Sequence, residues 1–160
     1  MKNWIKFFSV FLVVLAVILT GIVTISAYSP YHSSKSKAKD AVIQEKMLTD
    51  VSDTYVYSGK EAYVTVIGKD EQGSEKAVFV NEANPKAKKQ SVYLKDGISE
   101  KKAIDIATKG QKVKKVMHAH LGLEKTGVVW EVTYKDTSNQ LNYIYIMFKD
   151  GQWWKKITNL

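Results

Sequence analysis

The chain has 160 residues, among them 24 lysines, no arginine, 16 acidic residues and no cysteine, for a net charge of +8. The missing cysteine excludes a disulfide framework, lipid attachment at cysteine and a thiol nucleophile. Without arginine the chain lacks the fork that clamps phosphate and reads guanine, so no nucleic acid is expected as a partner; the lysine surplus leaves anionic lipid and anionic wall polymers open.

The first element is an uncharged apolar run from Phe7 to Ala27 behind a tail carrying Lys2 and Lys6. As a helix it is about 30 Å long, the thickness of a bilayer's hydrocarbon core. Trp4 stands at one end and Tyr28 and Tyr31 at the other, where amphipathic rings favour the headgroup region, and Pro30 is expected to stop the helix. The expected layout is a cytoplasmic tail (1–6), a transmembrane anchor (7–28) and a linker (29–36). The lysines of the tail favour an inside amino terminus and an extracytoplasmic remainder, while Lys35, Lys37 and Lys39 argue the other way. A cleaved signal peptide is the rival reading. The run is too long for one, and Thr24-Ile25-Ser26 and Ala27-Tyr28-Ser29 are poor cleavage sites. A single-pass signal-anchor in the cell membrane is therefore expected.

Beyond it, Ser33 or Ser34 is placed to cap a helix running to about Leu48. Strands follow at Thr54–Tyr57, Ala62–Ile67 and Glu75–Asn81, then a lysine-rich loop and a short strand at Ser91–Leu94. Ser99 caps a second helix ending at Gly110, with Ala103, Ile104, Ile106 and Ala107 on its apolar side. Strands at Val113–Leu121, Val128–Lys135, Leu141–Phe148 and Trp153–Ile157 complete the chain.

This order reads as a repeat. A shift of 66 residues lays Tyr63-Val64-Thr65-Val66 on Val129-Trp130-Glu131-Val132, and Ala77-Val78-Phe79-Val80 on Tyr143-Ile144-Tyr145-Ile146. The helices align at a shift of 62, with Ala41-Val42 on Ala103-Ile104. Neither copy alone has much core, so the two are expected to share an interface.

The second copy, with Ile98-Ser99-Glu100-Lys101-Lys102-Ala103-Ile104-Asp105-Ile106-Ala107, Val128 to Tyr134, and Tyr143-Ile144-Tyr145-Ile146 through Gly151, resembles a PepSY domain. The whole chain resembles the YpmB/TseB-like family of Gram-positive bacteria, an anchor followed by two PepSY-like units. The resemblance implies an α+β fold of two PepSY-like (cystatin-like) units (37–94 and 95–160), each a helix packed on an antiparallel sheet. It also implies a non-enzymatic regulator or adaptor of cell-wall elongation that binds a class B penicillin-binding protein. The alternative is a binder or inhibitor of an extracytoplasmic peptidase.

The residues themselves offer little chemistry. His118 and His120 project from one face of a strand, with Glu131 expected near His118, and this set is possible for a divalent metal. The plainer reading is two half-exposed sheet histidines, so no metal, cofactor or catalytic residue is assigned. Val113, Met117, Ala119 and Leu121 are expected on the core face. Nucleophile elbows, zinc-protease pairs and phosphate loops are absent. Tyr143 and Tyr145 are expected on the sheet face away from the helix, with Val129 and His118, as partner-binding residues. Ala77, Phe79, Thr65 and Ile67 are their counterparts in the first copy. The two faces either pack on each other or meet a partner. Trp153 and Trp154 are the other aromatic candidates.

Overall fold

An unbroken helix, α1 (Lys2–Gln44), opens the computed structural model, which describes residues 2–158 and 160, with the backbone alone at 2, 3 and 25–32. The chain divides into two compact units, residues 1–34 and residues 35–160. Pro30 does not end the helix as expected, nor does a new one begin at Ser33 or Ser34. A proline inside a helix removes one amide hydrogen bond, and here the turns on either side carry the helix through.

In the first unit, Trp4–Thr24 is long and apolar enough to cross a membrane. Its apolar side chains are exposed all round, from Phe7 and Val10 to Ile22 and Val23, so no protein face among the described residues covers them. Such a helix is at home in lipid and not in water. Its threonines donate back to their own helix, Thr20 to the Ala16 carbonyl and Thr24 to the Thr20 carbonyl, both at 2.8 Å. Both threonine hydroxyls are thereby satisfied within the apolar phase. The belt positions expected at Tyr28 and Tyr31 lie outside the described side chains.

The second unit begins with the end of α1, whose Ala38 and Val42 are buried. The helix stops where Lys46 turns to φ 55°: its amide bonds Ile43 and that of Met47 bonds Val42, closing the last turn with two of the orphan carbonyls. The strands β1 (Asp50–Ser58), β2 (Ala62–Lys69), β3 (Glu75–Asn81) and β4 (Gln90–Tyr93) form one antiparallel sheet in chain order. A 3₁₀ turn (Leu94–Asp96) leads to α2 (Glu100–Thr108), whose first turn is capped by Ser99 accepting from the Lys102 amide at 3.2 Å. The strands β5 (Val113–Glu124), β6 (Gly127–Asp136), β7 (Leu141–Met147) and β8 (Trp153–Ile157) form a second antiparallel sheet, again in chain order.

The repeat is exact in the central hairpins. Every cross-strand pair of β2 and β3, from Tyr63–Asn81 to Lys69–Glu75, maps at a shift of 66 onto a pair of β6 and β7, from Val129–Met147 to Lys135–Leu141. The helices correct the expected alignment. The buried positions Ala38 and Val42 match the buried Ala103 and Ala107, a shift of 65 and not 62. Burial selects the face, and similar residues one turn away misled the sequence alignment.

Each sheet turns one face to its helix. Val64, Val66, Val78 and Val80 pack with Ala38, Val42 and Leu48; Trp130, Val132, Ile144 and Ile146 pack with Ala103 and Ala107. The first sheet's other face is buried too: Ala77 and Phe79 join Ala119, Leu121 and Leu123 of β5 in the second core. Phe79 and Leu121, both fully buried, each contribute about 1.5–3 kcal/mol. The halves therefore share a core.

The junction also solves an edge problem. β5 borders its sheet, and an edge strand presents unpaired backbone groups. At the fully buried Leu121, the amide donates to the Tyr55 hydroxyl oxygen at 2.7 Å and the carbonyl accepts from Thr65 Oγ1 at 2.8 Å. Beside it Tyr57 lies on Gly122, where a Cβ would fall 2.3 Å from the ring, and donates to Glu124 at 2.8 Å. Side chains of the first sheet thus take the place of a further strand.

Candidate functional site

The second sheet's face away from α2 stays partly open, and its register builds it in rows. One row runs His118, Thr133, Tyr143, Ile157 across the four strands, and the next runs His120, Glu131, Tyr145, Lys155. A wall of Val56, Tyr57 and Ser58 from β1 on one side and Ile157 and Leu160 on the other turn this face into a groove of about 530 Å³.

The register differs from expectation at β5. The register runs unbroken from the turn at Glu124–Gly127 to His118, which sets His118 opposite Thr133 and His120 opposite Glu131; an irregularity follows between Val116 and His118. The same irregularity breaks the alternation, so Met117, expected in the core, is 46% exposed while Val116 packs inward. His118 still reaches Glu131, with Nε2 3.5 Å from Oε1.

The imidazoles form a ladder with a tyrosine of the first repeat. Tyr55 stacks on His120 at 3.9 Å, and His120 on His118 at 4.2 Å, the rings within 11° and 19° of parallel. Burial, with the neighbouring His118 adding to it, pushes the His120 pKa down to about 4, so this ring is neutral at physiological pH. Nitrogen lone pairs lie in the ring planes, so those of stacked rings run side by side and do not converge on one ion. Among the described residues no three His, Asp or Glu side chains are arranged to hold a metal. Ser58 lines the groove, but among the described residues its hydroxyl bonds neither imidazole, so the contact that would activate it as a nucleophile is missing.

The tyrosines divide in role. Tyr145 is 9% exposed and packs with Val129 and Tyr57, its hydroxyl pKa raised by burial and then by Glu131. Tyr143 is half-buried and lines the groove. Trp154 meets Tyr145 edge-on at 5.8 Å, while Trp153 points to the other face and is 47% exposed. Lys155 holds its ammonium 5.3 Å above the Tyr145 ring. Thr133, only 2% exposed, has an Oγ1 without a hydrogen-bond partner in the row between His118 and Tyr143.

Sequence reasoning placed Thr65 on the face that packs on the other repeat but missed Tyr55 and Tyr57, because nothing in β1 says that they cross to β5. The available signal was Gly122, a glycine inside a strand, which marks a close approach.

The first repeat shows what is particular to this face. Thr65, Ile67, Ala77 and Phe79, the counterparts of Glu131, Thr133, Tyr143 and Tyr145, pack toward the shared core.

Comparisons with known proteins follow the same outline. Residues 37–81 match the family described as the cell wall elongation regulator TseB-like domain. The chain is 35% identical over 155 residues to the probable cell wall elongation regulator TseB of Bacillus subtilis (strain 168), covering 93% of this chain and 96% of that protein. The solved structure of the YpmB protein from Bacillus subtilis resembles it with a TM-score of 0.65 and 37% identity, over 76% of this chain and 94% of that one. With a relative this similar along nearly its whole length, and two antiparallel sheets behind an apolar helix, the chain belongs to the TseB-like family.

Proposed function

We propose that the chain is a non-enzymatic regulator of cell-wall elongation, held in the cell membrane by Phe7–Ala27 with residues 35–160 extracytoplasmic. It acts by binding a class B penicillin-binding protein through the groove on the second sheet. The observation that carries this reading is the contrast between the repeats. In one, the face away from the helix is used up in the shared core; in the other, the same positions hold Glu131, Thr133, Tyr143 and Tyr145, of which Glu131, Tyr143 and Tyr145 line a groove. An accessible aromatic surface with hydrogen-bonding groups is the composition of an interface anchor. The name of the Bacillus subtilis relative supports the cell-wall role. We read the halves, within 37–94 and 95–160, as PepSY-like (cystatin-like) units, a fold association that favours binding over catalysis.

A photo-crosslinking residue in place of Tyr143, in the full chain in intact cells, tests the reading. Capture of a class B penicillin-binding protein is expected. Capture of a peptidase would move the function to the alternative, and capture of nothing would remove the groove from it. Tyr143 is the position of choice because Tyr145 is engaged with Val129 and Tyr57.

A further inference from the structure

One row beyond His118 and Thr133, the same sheet carries a pair that works against the fold. Lys115 on β5 stands directly opposite Lys135 on β6. Like charges facing each other across a ladder are destabilising. Among the described residues neither lysine has a carboxylate within ion-pairing distance. The neighbouring Asp136 is tied to its own turn, with Oδ1 accepting from the Ser138 and Gln140 amides and Oδ2 from Asn142. The next acid along the face, Glu131, faces His118. Across the groove, Lys155 is parked over an aromatic ring and not on an acid.

We propose that the groove receives an extended acidic segment of the partner protein, with its apolar or aromatic side chains over Tyr143 and its carboxylates at Lys115, Lys135 and Lys155. This rests on the reading of the groove as the partner surface and adds the chemistry of the occupant. Lys135 and Glu131 are four residues apart on one strand, about 13 Å, so an extended segment of about four residues spans both rows. The anionic segment fits on two scales. At long range the 22 lysines beyond the anchor, against 16 acids, leave a net charge of +6 that steers an acidic partner toward this unit. At contact, the Lys115–Lys135 repulsion is relieved when a carboxylate comes between them. A cationic segment meets repulsion from the lysines, with Glu131 and the Tyr57-bound Glu124 in its favour.

The test uses the full chain in nanodiscs and three acetylated, amidated peptides: Glu-Tyr-Glu-Leu and its versions with glutamine or lysine in place of both glutamates. The glutamate peptide is expected to bind best, to weaken with rising salt, and to lose roughly fivefold in affinity when Lys115→Gln and Lys135→Gln are combined. These changes remove a repulsion, so thermal stability should hold or rise, which separates lost binding from lost folding. Equal binding of the glutamine or lysine peptide would overturn the proposal. So would inorganic polyphosphate binding more tightly than the glutamate peptide, which would make the surface a polyanion site. In cells, Lys115→Glu with Lys135→Glu should abolish capture by the crosslinker at position 143. Capture that survives this reversal would refute the acidic occupant while leaving the groove as the partner surface; no capture even without the reversal would refute the groove itself.

Discussion

Replacing Thr65 by valine removes one hydroxyl at almost constant shape and leaves the Leu121 carbonyl without its partner from the first repeat. Tyr55→Phe does the same to the Leu121 amide while keeping the ring that stacks on His120. Leu121 is fully buried, so water cannot replace either bond. A buried backbone group left unpaired costs about 1–3 kcal/mol, whereas the net worth of an ordinary hydrogen bond is about 1 kcal/mol. The upper part of that range applies here, because the groups sit between two packed sheets. For a folded unit of about 125 residues, about 2 kcal/mol lowers the melting temperature by roughly 6–10 °C. The two variants share one residue, so their costs in combination should depart from the sum. Near-ultraviolet circular dichroism of the full chain in detergent micelles measures the unfolding, and Thr54→Val on β1, beside Tyr55, serves as the control. Hydrogen exchange at the Leu121 amide supplies a local readout and should accelerate in Tyr55→Phe. Either variant unfolding within about 0.5 kcal/mol of the wild type, or an unchanged Leu121 exchange rate, would refute the idea that the first repeat seals this edge.

Two further outcomes are expected. His120 titrates near 4 when folded and near its ordinary 6.5 when unfolded, so the unfolded chain binds the extra proton between these values; stability is full above pH 6.5 and falls as the pH drops toward 4. His120→Phe should remove that part of the pH dependence, and a ring titrating near 6.5 in the folded protein by NMR would contradict it. Protease added to intact, wall-stripped cells should digest the chain beyond about Ser33 and spare Phe7–Ala27; full protection would reverse the orientation, and release of a soluble form starting near Ala27 or Pro30 would replace the anchor with a cleaved signal.

What the sequence determined by itself was everything set by local pattern. The apolar run of Phe7–Ala27, the alternation in β2, β3, β6 and β7 and the cap at Ser99 each depend on residues close in the chain, and the 66-residue repeat on the same local pattern written twice. Three things needed the tertiary structure. The reach of α1 through Pro30 depended on the bonds of the flanking turns, against the single-residue preference. The exposure of Met117 followed from an irregularity in β5, where one displaced residue exchanges the faces of a strand. The fate of the two equivalent sheet faces was decided by contact over long separations. Tyr55, Tyr57 and Thr65 find β5 about 60 residues away, which buries the face holding Phe79 and leaves the face holding Tyr143 lining a groove. Alternation says that a strand has two faces; only the packing of one repeat against the other decides which of them remains open to a partner.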